Sequence, residues 1–303
     1  MMQQKILPAP PGIYQSRRPS NSFFLKVRGL DYHIRTWGPE DAPAVVLLHG
    51  GQDGSATFQF MVDCFQRDWR IVAPDWRGHG KSERAAQGYW FPDYLADLDA
   101  VLEQLFPAAA VPLVGHSLGG NVACVYAGLR PERVSRLVSL DGFGLPDRKP
   151  EEAPAQMRRW LKSWQTLRPH KPYAAVADMA ARLQQANPRL PRDKALFLAS
   201  ELSTRLQDGS LVWAFDPRHR APFGALNRKA EWAAYLAGVR APTLFAGSGQ
   251  PFPPSIAKEP AGIEGRVALV PGAAFQRIEG AGHNLHHDEP QTVAALVESF
   301  LTA

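Results

Sequence analysis

A serine flanked by glycines is the residue of this chain best suited to covalent chemistry. Ser117 is the centre of a G-x-S-x-G pattern that spans residues 115–119. An apolar run at 111–114 precedes this pattern and a helix-like run at 121–127 follows it. A strand, a tight turn and a helix in this order form a nucleophile elbow, which exposes the serine hydroxyl at the top of a sheet. The pattern therefore predicts a serine nucleophile. The alternative is an incidental serine in a Gly-rich turn.

A histidine near the C-terminus could take the proton of that serine. His283 ends the sequence Gly-Ala-Gly-His in a loop that follows a predicted strand at 275–278. A serine hydroxyl must lose its proton as it attacks, and an imidazole, which titrates near neutrality, suits that role. We expect His283 to be the general base. We expect His286 and His287, which follow it closely, to lie on a polar surface loop.

A second glycine-rich loop could stabilise the charge that develops in the reaction. It reads His-Gly-Gly-Gln at residues 49–52, directly after a predicted buried strand. Such a loop supplies one backbone N–H of an oxyanion hole, and the residue after the nucleophile supplies the other. We therefore expect the N–H groups of Gly51 and Leu118 to form the hole. An ordinary strand-to-loop turn is the alternative. Gln52, in the same loop, and His116, beside the nucleophile, are candidates for contact with a substrate.

Strands and helices must alternate to position these loops. Continuous apolar runs predict buried strands at 44–48, 70–73, 111–114, 134–140 and 243–246, and a strand pair at 23–27 and 32–37 precedes them. Helix-like segments lie at 56–67, 92–106, 118–129 and 291–301. This alternation is typical of an α/β protein with a mostly parallel sheet and helices on both faces.

The alternation stops between residues 145 and about 240, which are rich in Ala, Leu, Gln, Arg and Trp. Helical candidates there are 152–167, 173–186 and 192–206, with one possible short strand at 211–215. We read this stretch as a helical insertion after the sixth strand. The sequence thus predicts four segments: an N-terminal arm (1–22), a first core part (23–144), the insertion (145–236) and a second core part (237–303).

These motifs, together with the D-x-R-G-x-G-x-S segment at residues 75–82, resemble the α/β-hydrolase family in its serine hydrolase, esterase- or lipase-like branch. The resemblance covers residues 23–143 and 237–303. It implies an eight-stranded, mostly parallel sheet with helices on both faces. It also implies a helical cap inserted after strand six and a catalytic triad in the chain order serine, acid, histidine.

The acid is where this chain departs from the usual family pattern. Members of the family usually carry an aspartate in the loop after strand seven, where this chain has Gln250. Asp141 follows strand six directly, a position that some dehalogenases and lipases of the family use. We therefore expect Asp141 to be the triad acid. Asp75 is expected to brace its own loop with Arg77, and Asp216 in the insertion has a weaker claim.

The combined features predict a serine hydrolase that cleaves an ester-type bond of a small substrate through an acyl-enzyme on Ser117. Two alternatives stay open: a ligand-binding protein without turnover on the same scaffold, and a carbon–carbon hydrolase, acyltransferase or perhydrolase that uses the same serine. No metal or organic cofactor is expected. Trp160 and Trp213 in the insertion and Phe143 after the acid are further candidates for lining the substrate pocket.

Composition excludes several other classes. The formal net charge is +5 and the pI about 9.3, but the basic residues are scattered, so a nucleic-acid partner is not expected. Cys64 and Cys124 are expected to be buried free thiols. No apolar window is long enough for a membrane span, and the first twelve residues lack the apolar core of a secretory signal, so a cytoplasmic location is expected. The sequence does not indicate an oligomeric state.

Overall fold

The computed structural model describes residues 12–248, 254–259 and 261–303. The strands are β1 (Ser20–Val27), β2 (Leu30–Trp37), β3 (Ala44–Leu48), β4 (Arg70–Pro74), β5 (Val111–His116), β6 (Val134–Leu140), β7 (Ser203–Arg205), β8 (Leu211–Trp213), β9 (Thr243–Ser248) and β10 (Ala274–Ile278). The α-helices are α1 (Gln59–Val62), α2 (Phe91–Leu105), α3 (Leu118–Leu129), α4 (Ala153–Thr166), α5 (Val176–Ala186), α6 (Arg192–Glu201), α7 (Lys229–Leu236), α8 (Gly262–Val267), α9 (Leu285–Asp288) and α10 (Pro290–Thr302). Short 3-10 helices occupy Ser55–Phe58, Pro131–Arg133, Pro150–Glu152, Pro217–Arg220 and Ile256–Lys258.

Eight strands form one sheet in the order β1-β2-β4-β3-β5-β6-β9-β10. β3, β4, β5, β6, β9 and β10 run parallel, while β2 pairs antiparallel with both β1 and β4. The predicted eight-stranded, mostly parallel sheet is confirmed. Since the carboxyl ends of parallel strands meet at one edge, the loops after β3, β5, β6 and β10 come together there.

Helices cover both faces of this sheet. β3 shows why, because its alternate side chains belong to two separate hydrophobic clusters, Val46 and Leu48 on one face and Val45 and Leu47 on the other. α2, α3, α7 and α8 pack on the first face, and α1 and α10 pack on the second. Burial on both faces explains why these strands read as continuous apolar runs.

The insertion (residues 145–236) is less purely helical than the sequence indicates. The predicted helix at 192–206 ends at Glu201, and the chain continues as β7, which pairs antiparallel with β8 in a small second sheet. α7 lies inside the predicted bounds of the insertion but packs on the core helix α3, with Trp232 and Leu236 in the main hydrophobic cluster. The core chain therefore resumes near Lys229.

The described part of the predicted N-terminal arm is tied to the body of the protein. Its last three residues belong to β1. The Tyr14 hydroxyl donates to the Asp63 carboxylate at 3.0 Å, and the Tyr14 N–H donates to the Asp193 carbonyl in α6. The Arg18 N–H donates to Asp63 at 2.7 Å. These contacts arise from residues far apart in sequence, which the local composition does not reveal.

Candidate active site

Ser117 occupies the sharp turn between β5 and α3 that the sequence predicts. Its backbone angles are φ 51° and ψ −113°, which are strained for a residue with a side chain. The turn requires very close backbone approach, because a Cβ on Gly119 would lie 2.0 Å from the Leu48 carbonyl oxygen and one on Gly115 would lie 2.4 Å from the Gly119 carbonyl carbon. Glycine at both positions therefore allows the strand and helix to meet, and the partly exposed Ser117 side chain lies at the edge of the sheet.

The structure brings Ser117, His283 and Asp141 together. The distance from His283 Nε2 to Ser117 Oγ is 3.0 Å, and that from His283 Nδ1 to Asp141 Oδ2 is 2.5 Å. These distances fit a hydroxyl that donates to Nε2 and an imidazole whose Nδ1–H donates to the carboxylate. The Asp141 side chain is buried, whereas that of His283 is 26% exposed. The site is thus open to a substrate on the side of the serine and the histidine.

Asp141 is held in place by the ends of two parallel strands. Its N–H donates to the Ala246 carbonyl in β9 at 2.8 Å, and its φ of 52° turns the chain sharply after β6. The Ser248 N–H lies 3.4 Å from Asp141 Oδ1. Gln250, at the usual family position of the acid, lies outside the described residues.

The second glycine loop lies against the nucleophile. A Cβ on Gly50 would be 3.4 Å from Ser117 Cβ, so the backbone that follows β3 passes directly beside the serine. Within the described part of the chain, the N–H groups of Gly51 and Leu118 donate no hydrogen bond to another protein group. Leu118 follows Ser117 in the chain, and Gly51 follows Gly50, which lies beside Ser117, so an anionic oxygen bound to Ser117 would have two candidate donors.

A buried histidine from the D-x-R-G-x-G-x-S segment, His79, fixes this loop. The Gln52 N–H donates to His79 Nε2 at 3.0 Å, and Gln52 has a φ of 60°, which is uncommon for a residue with a side chain. His79 Nδ1 lies 3.2 Å from the Arg77 carbonyl oxygen. Burial holds the pKa of His79 well below its usual range, so the ring is neutral and Nε2 accepts. In the sequence, the only indication of this role is the position of His79 in the D-x-R-G-x-G-x-S segment at residues 75–82.

The same histidine connects the second glycine loop to the insertion. Its ring lies 3.9 Å, centroid to centroid, from that of His219, which itself stacks on Tyr89 at 3.7 Å. Burial lowers the pKa of His219 to about 3, so this ring is also neutral. The stack therefore packs against the His79 ring, and it depends on a residue from the insertion.

Replacing His79 with phenylalanine is expected to lower kcat for ester hydrolysis about tenfold, with a smaller change in KM. The ring is kept, but the partly buried Gln52 N–H loses its acceptor, and a typical hydrogen bond contributes about 0.5–1.5 kcal/mol. The neighbouring Gly51 N–H is then less well oriented toward the developing oxyanion. Steady-state kinetics, with thermal unfolding measured in parallel, would show this effect. His170→Phe, which removes a hydrogen bond to the Phe215 carbonyl inside the insertion, is the matched control and should leave kcat unchanged. A His79→Phe enzyme with normal kcat would contradict this role.

The residues predicted to line the substrate pocket lie in several different environments. The Phe143 ring is buried between Phe245 and Phe275, so it packs in the core and is not an exposed pocket wall. His116 is also buried, and its Nε2 lies 3.0 Å from the His283 carbonyl oxygen, a contact that fixes the backbone of the loop that carries His283. Gln52 has an exposed side chain at the edge of the site.

The two tryptophans make their described contacts inside the insertion and with the segment before α2. The Trp160 ring packs against Trp90 and Trp164, and the Trp213 ring packs edge-on against Tyr173. These ring contacts account for packing of the insertion and do not indicate contact with a substrate.

His286 and His287 were expected on a polar surface loop, and this expectation is wrong. Both are buried in α9, with their Nε2 atoms 3.0 and 2.5 Å from the Thr57 hydroxyl. Burial lowers the pKa of His287 to about 3 and holds that of His286 well below its usual range, so both rings are neutral. The sequence could not show this, because Thr57 lies about 230 residues away.

These two histidines and Asp53 form a group that could ligate a metal, with one ligand atom from each within 4.8 Å of the others. The Thr57 hydroxyl already bonds both imidazoles, and Asp53 bonds Thr57 as well. Desolvation raises the pKa of Asp53 to about 7, which weakens it as a ligand near neutrality. Hydrogen bonding thus accounts for the cluster, and we assign no metal to it.

The two other carboxylates considered for the triad have structural partners. Asp75 is buried and accepts from the Ser55 and Lys81 N–H groups and from His33, which hold its pKa well below the usual range. It does not pair with Arg77 as expected, because Arg77 binds Asp97 at 2.6 Å. Asp216 binds Arg218 and Tyr89.

Comparisons with known proteins identify the family of this chain. The α/β hydrolase fold family matches residues 43–290. A serine hydrolase-like protein of Danio rerio is 29% identical over 304 residues, which cover 94% of this chain and 89% of that protein. A bifunctional esterase/perhydrolase of Acinetobacter calcoaceticus is 36% identical over 104 residues, covering 34% of this chain and 37% of that protein.

A solved structure shows the same architecture over nearly the whole chain. A thioesterase domain from the curacin biosynthetic pathway superposes with a TM-score of 0.82 at 25% sequence identity, covering 93% of this chain and 99% of that domain.

Among the helices of the described ranges, none has the length and apolar character needed to span a membrane. Cys64 and Cys124 are free thiols, the second buried and the first partly exposed.

Proposed function

Because the chain belongs to the α/β-hydrolase fold family, we propose that it is a serine hydrolase that cleaves carboxylic ester bonds of a small substrate. The observation that carries this proposal is the unbroken hydrogen-bonded connection from Ser117 Oγ through His283 to Asp141. A nucleophile, a base within hydrogen-bond reach and an orienting third group are what acyl transfer requires. The serine hydrolase-like and esterase relatives support the same reaction class.

The reaction begins when Ser117 Oγ attacks the ester carbonyl and its proton passes to His283 Nε2. Asp141 keeps Nδ1 of that ring protonated and stabilises the imidazolium that forms. The carbonyl oxygen becomes an oxyanion, and the N–H groups of Gly51 and Leu118 donate to it; each such donor contributes roughly 3 kcal/mol to the transition state. The intermediate collapses to an acyl-enzyme, and the alcohol leaves with the proton from His283.

Water then completes the cycle. His283 removes a proton from a water molecule, which attacks the acyl carbon and forms a second tetrahedral intermediate in the same oxyanion hole. The carboxylic acid is released and Ser117 recovers its proton. The buried neutral histidines around the base carry no positive charge that would disfavour the imidazolium; the pKa of His116, whose ring lies 4.9 Å from that of His283, is held well below its usual range by burial.

The insertion acts in this proposal as a cap that limits the size of the substrate. It contacts α9, the helix that directly follows the loop of His283, since Asn187 Nδ2 donates to Asp288 at 2.7 Å and Lys194 Nζ donates to the His287 carbonyl at 2.9 Å. It also contacts the loop after β3, because a Cβ on Gly54 would lie 2.9 Å from Leu202 Cδ2. A cover that reaches both loops favours a modest, enclosed substrate over a polymer.

Two other functions use the same residues. Perhydrolysis or acyl transfer would follow if a nucleophile other than water reached the acyl-enzyme, and the similarity to a bifunctional esterase/perhydrolase favours this as the second candidate. A ligand-binding protein without turnover would keep the pocket and leave Ser117 unreactive. The hydrogen-bonded Asp141 argues against this, since it supplies the carboxylate that position 250 lacks.

A p-nitrophenyl ester series of increasing acyl length tests the proposal, with peracid formation from hydrogen peroxide measured on the same preparations. We expect ester hydrolysis with a preference for short or medium acyl chains. Turnover of peroxide or an added alcohol that exceeds hydrolysis would favour the second candidate. No release of p-nitrophenol from any member of the series would contradict ester hydrolysis.

A further inference from the structure

α4, in the insertion, is an amphipathic helix that the rest of the protein covers on only one side, through Gln156 and Trp160. None of its side chains is buried. Met157, Leu161 and Trp164 are 42%, 52% and 42% exposed. Their spacing of four and three residues places them in one stripe along the helix. Three large apolar side chains aligned in water are a costly surface unless something covers them.

Basic residues flank this stripe. Arg158, Arg159 and Lys162 are exposed on the adjoining face, and α4 contains no acidic residue. Among the residues whose placement is described, no carboxylate lies within 4 Å of these three cations. Glu152, directly before α4, interacts with Arg159 at longer range, so the protein itself neutralises the charge on this face only in part.

The apolar surface continues beyond the helix. Phe223 is 38% exposed and its carbonyl accepts from Gln156 Nε2 of α4. Trp90 is 39% exposed and its ring packs on Trp160. Tryptophan is enriched where proteins meet the interface of a bilayer, because the ring is apolar and its N–H is polar.

A basic cleft lies where α4 ends. It has a volume of about 420 Å³ and is lined by Arg84, Arg168, Arg218 and Asp216, with Leu167 and two prolines. Arg218 is paired with Asp216, whereas Arg84 and Arg168 make no ion pair within the described ranges. Two guanidinium groups without carboxylate partners suit a phosphate.

The positive charge of the chain is concentrated in the insertion, which contains α4. The insertion holds sixteen Lys and Arg against nine Asp and Glu, a net +7. The complete chain is only +5, so the remaining segments together are slightly acidic. The basic pI therefore originates in the insertion, where the uncovered helix is.

We propose that α4 and the adjoining cleft bind the surface of an anionic phospholipid bilayer. The apolar stripe would enter the boundary between headgroups and acyl chains, the flanking cations would bind acidic headgroups, and the cleft would receive a lipid phosphate. A helix with a basic polar face, an apolar face bearing tryptophan and low overall hydrophobicity is the kind that lies in such an interface. This binding is independent of the proposed hydrolysis.

Co-sedimentation of the full-length protein with vesicles tests the proposal. We expect binding to vesicles of phosphatidylcholine mixed with phosphatidylglycerol, little binding to phosphatidylcholine alone, and release at high salt, because exposed charges are screened. The double variants Leu161→Gln/Trp164→Gln and Arg158→Ser/Lys162→Ser should each bind at least about tenfold more weakly. Ester hydrolysis in solution should be unchanged in both variants, which also verifies that they fold.

Matched controls are available in the same chain. Leu129→Gln removes an apolar side chain that is 50% exposed on α3. Arg182→Ser/Arg192→Ser removes two exposed cations from α5 and α6, so the net charge of the insertion falls equally. Both controls should bind as the natural protein does.

Three results would overturn the proposal. The first is absence of binding to phosphatidylglycerol vesicles at low salt, and the second is equal loss of binding in the controls and the α4 variants. The third is a dimer in solution that Leu161→Gln/Trp164→Gln converts to a monomer without vesicle binding, which would make α4 an interface between two copies of the chain.

Discussion

Replacing Ser117 with alanine is expected to lower kcat for ester hydrolysis about 10⁶-fold. The variant loses the oxygen that forms the acyl-enzyme, and what remains is substrate binding and stabilisation of charge by backbone donors. The side chain is partly exposed and small, so the change should cost little stability. Initial rates with a p-nitrophenyl ester, and the melting temperature of the same sample, measure both effects.

Ser203→Ala is the matched control, because Ser203 lies in β7 of the insertion and its hydroxyl donates to the Ser200 carbonyl, away from the triad. It should retain the kcat of the natural protein. If Ser117→Ala kept more than about a thousandth of that kcat, a different residue or a bound water would be the nucleophile.

Replacing Asp141 with asparagine is expected to lower kcat about 10⁴-fold while the fold is preserved. The amide has nearly the same shape, but it cannot stabilise the imidazolium, and it favours the wrong tautomer of His283. The effect should appear mainly in kcat, because Asp141 is buried behind the histidine and does not face a substrate. Steady-state kinetics on one ester across Ser117, Asp141 and control variants gives the comparison directly.

Asp216→Asn is the matched control for the acid. Asp216 is another buried aspartate that follows a strand, and its carboxylate binds Arg218 and Tyr89 instead of a histidine. We expect this variant to keep kcat within a few-fold of normal. Near-normal turnover by Asp141→Asn would show that Asp141 is not the triad acid, even though it lies 2.5 Å from His283.

Much of the fold could be predicted because its signals are local. The buried strands read as short apolar runs since both faces of the sheet are covered, and α3 begins at Leu118 and ends at Leu129 as predicted. The sequence predicts the nucleophile elbow because close backbone contacts with the neighbouring strand and helix require glycine at positions 115 and 119. These features depend on residues close together in sequence.

The rest depends on contacts that cross the chain. Ser203–Arg205 has the composition of a helix end but pairs with β8, so tertiary pairing outweighs local propensity. The helix predicted at 56–67 is a 3-10 turn followed by one turn of α1, which ends where Asp63 binds the N-terminal segment. The burial of Phe143 arises from rings on β9 and β10 that are over 100 residues away.

The candidate site also contains some residues that the sequence predicts and others that only the folded structure reveals. Ser117, His283 and the glycine loop carry sequence patterns, whereas Asp141 was inferred from the family resemblance and from its place after a strand. No sequence pattern indicates that His79 supports Gln52 or that His219 supports His79. Three separate segments must fold together before these contacts form. Positioning residues of this kind become visible only in three dimensions.

The most direct test of a poised serine is reaction of the natural protein with a fluorophosphonate probe, followed by peptide mapping of the adduct. Activation by His283 predicts fast, stoichiometric phosphonylation of Ser117, much slower labelling of Asp141→Asn and none at this position in Ser117→Ala. An unlabelled Ser117 in protein that is folded, or an adduct found on another serine at the same rate, would contradict the central claim.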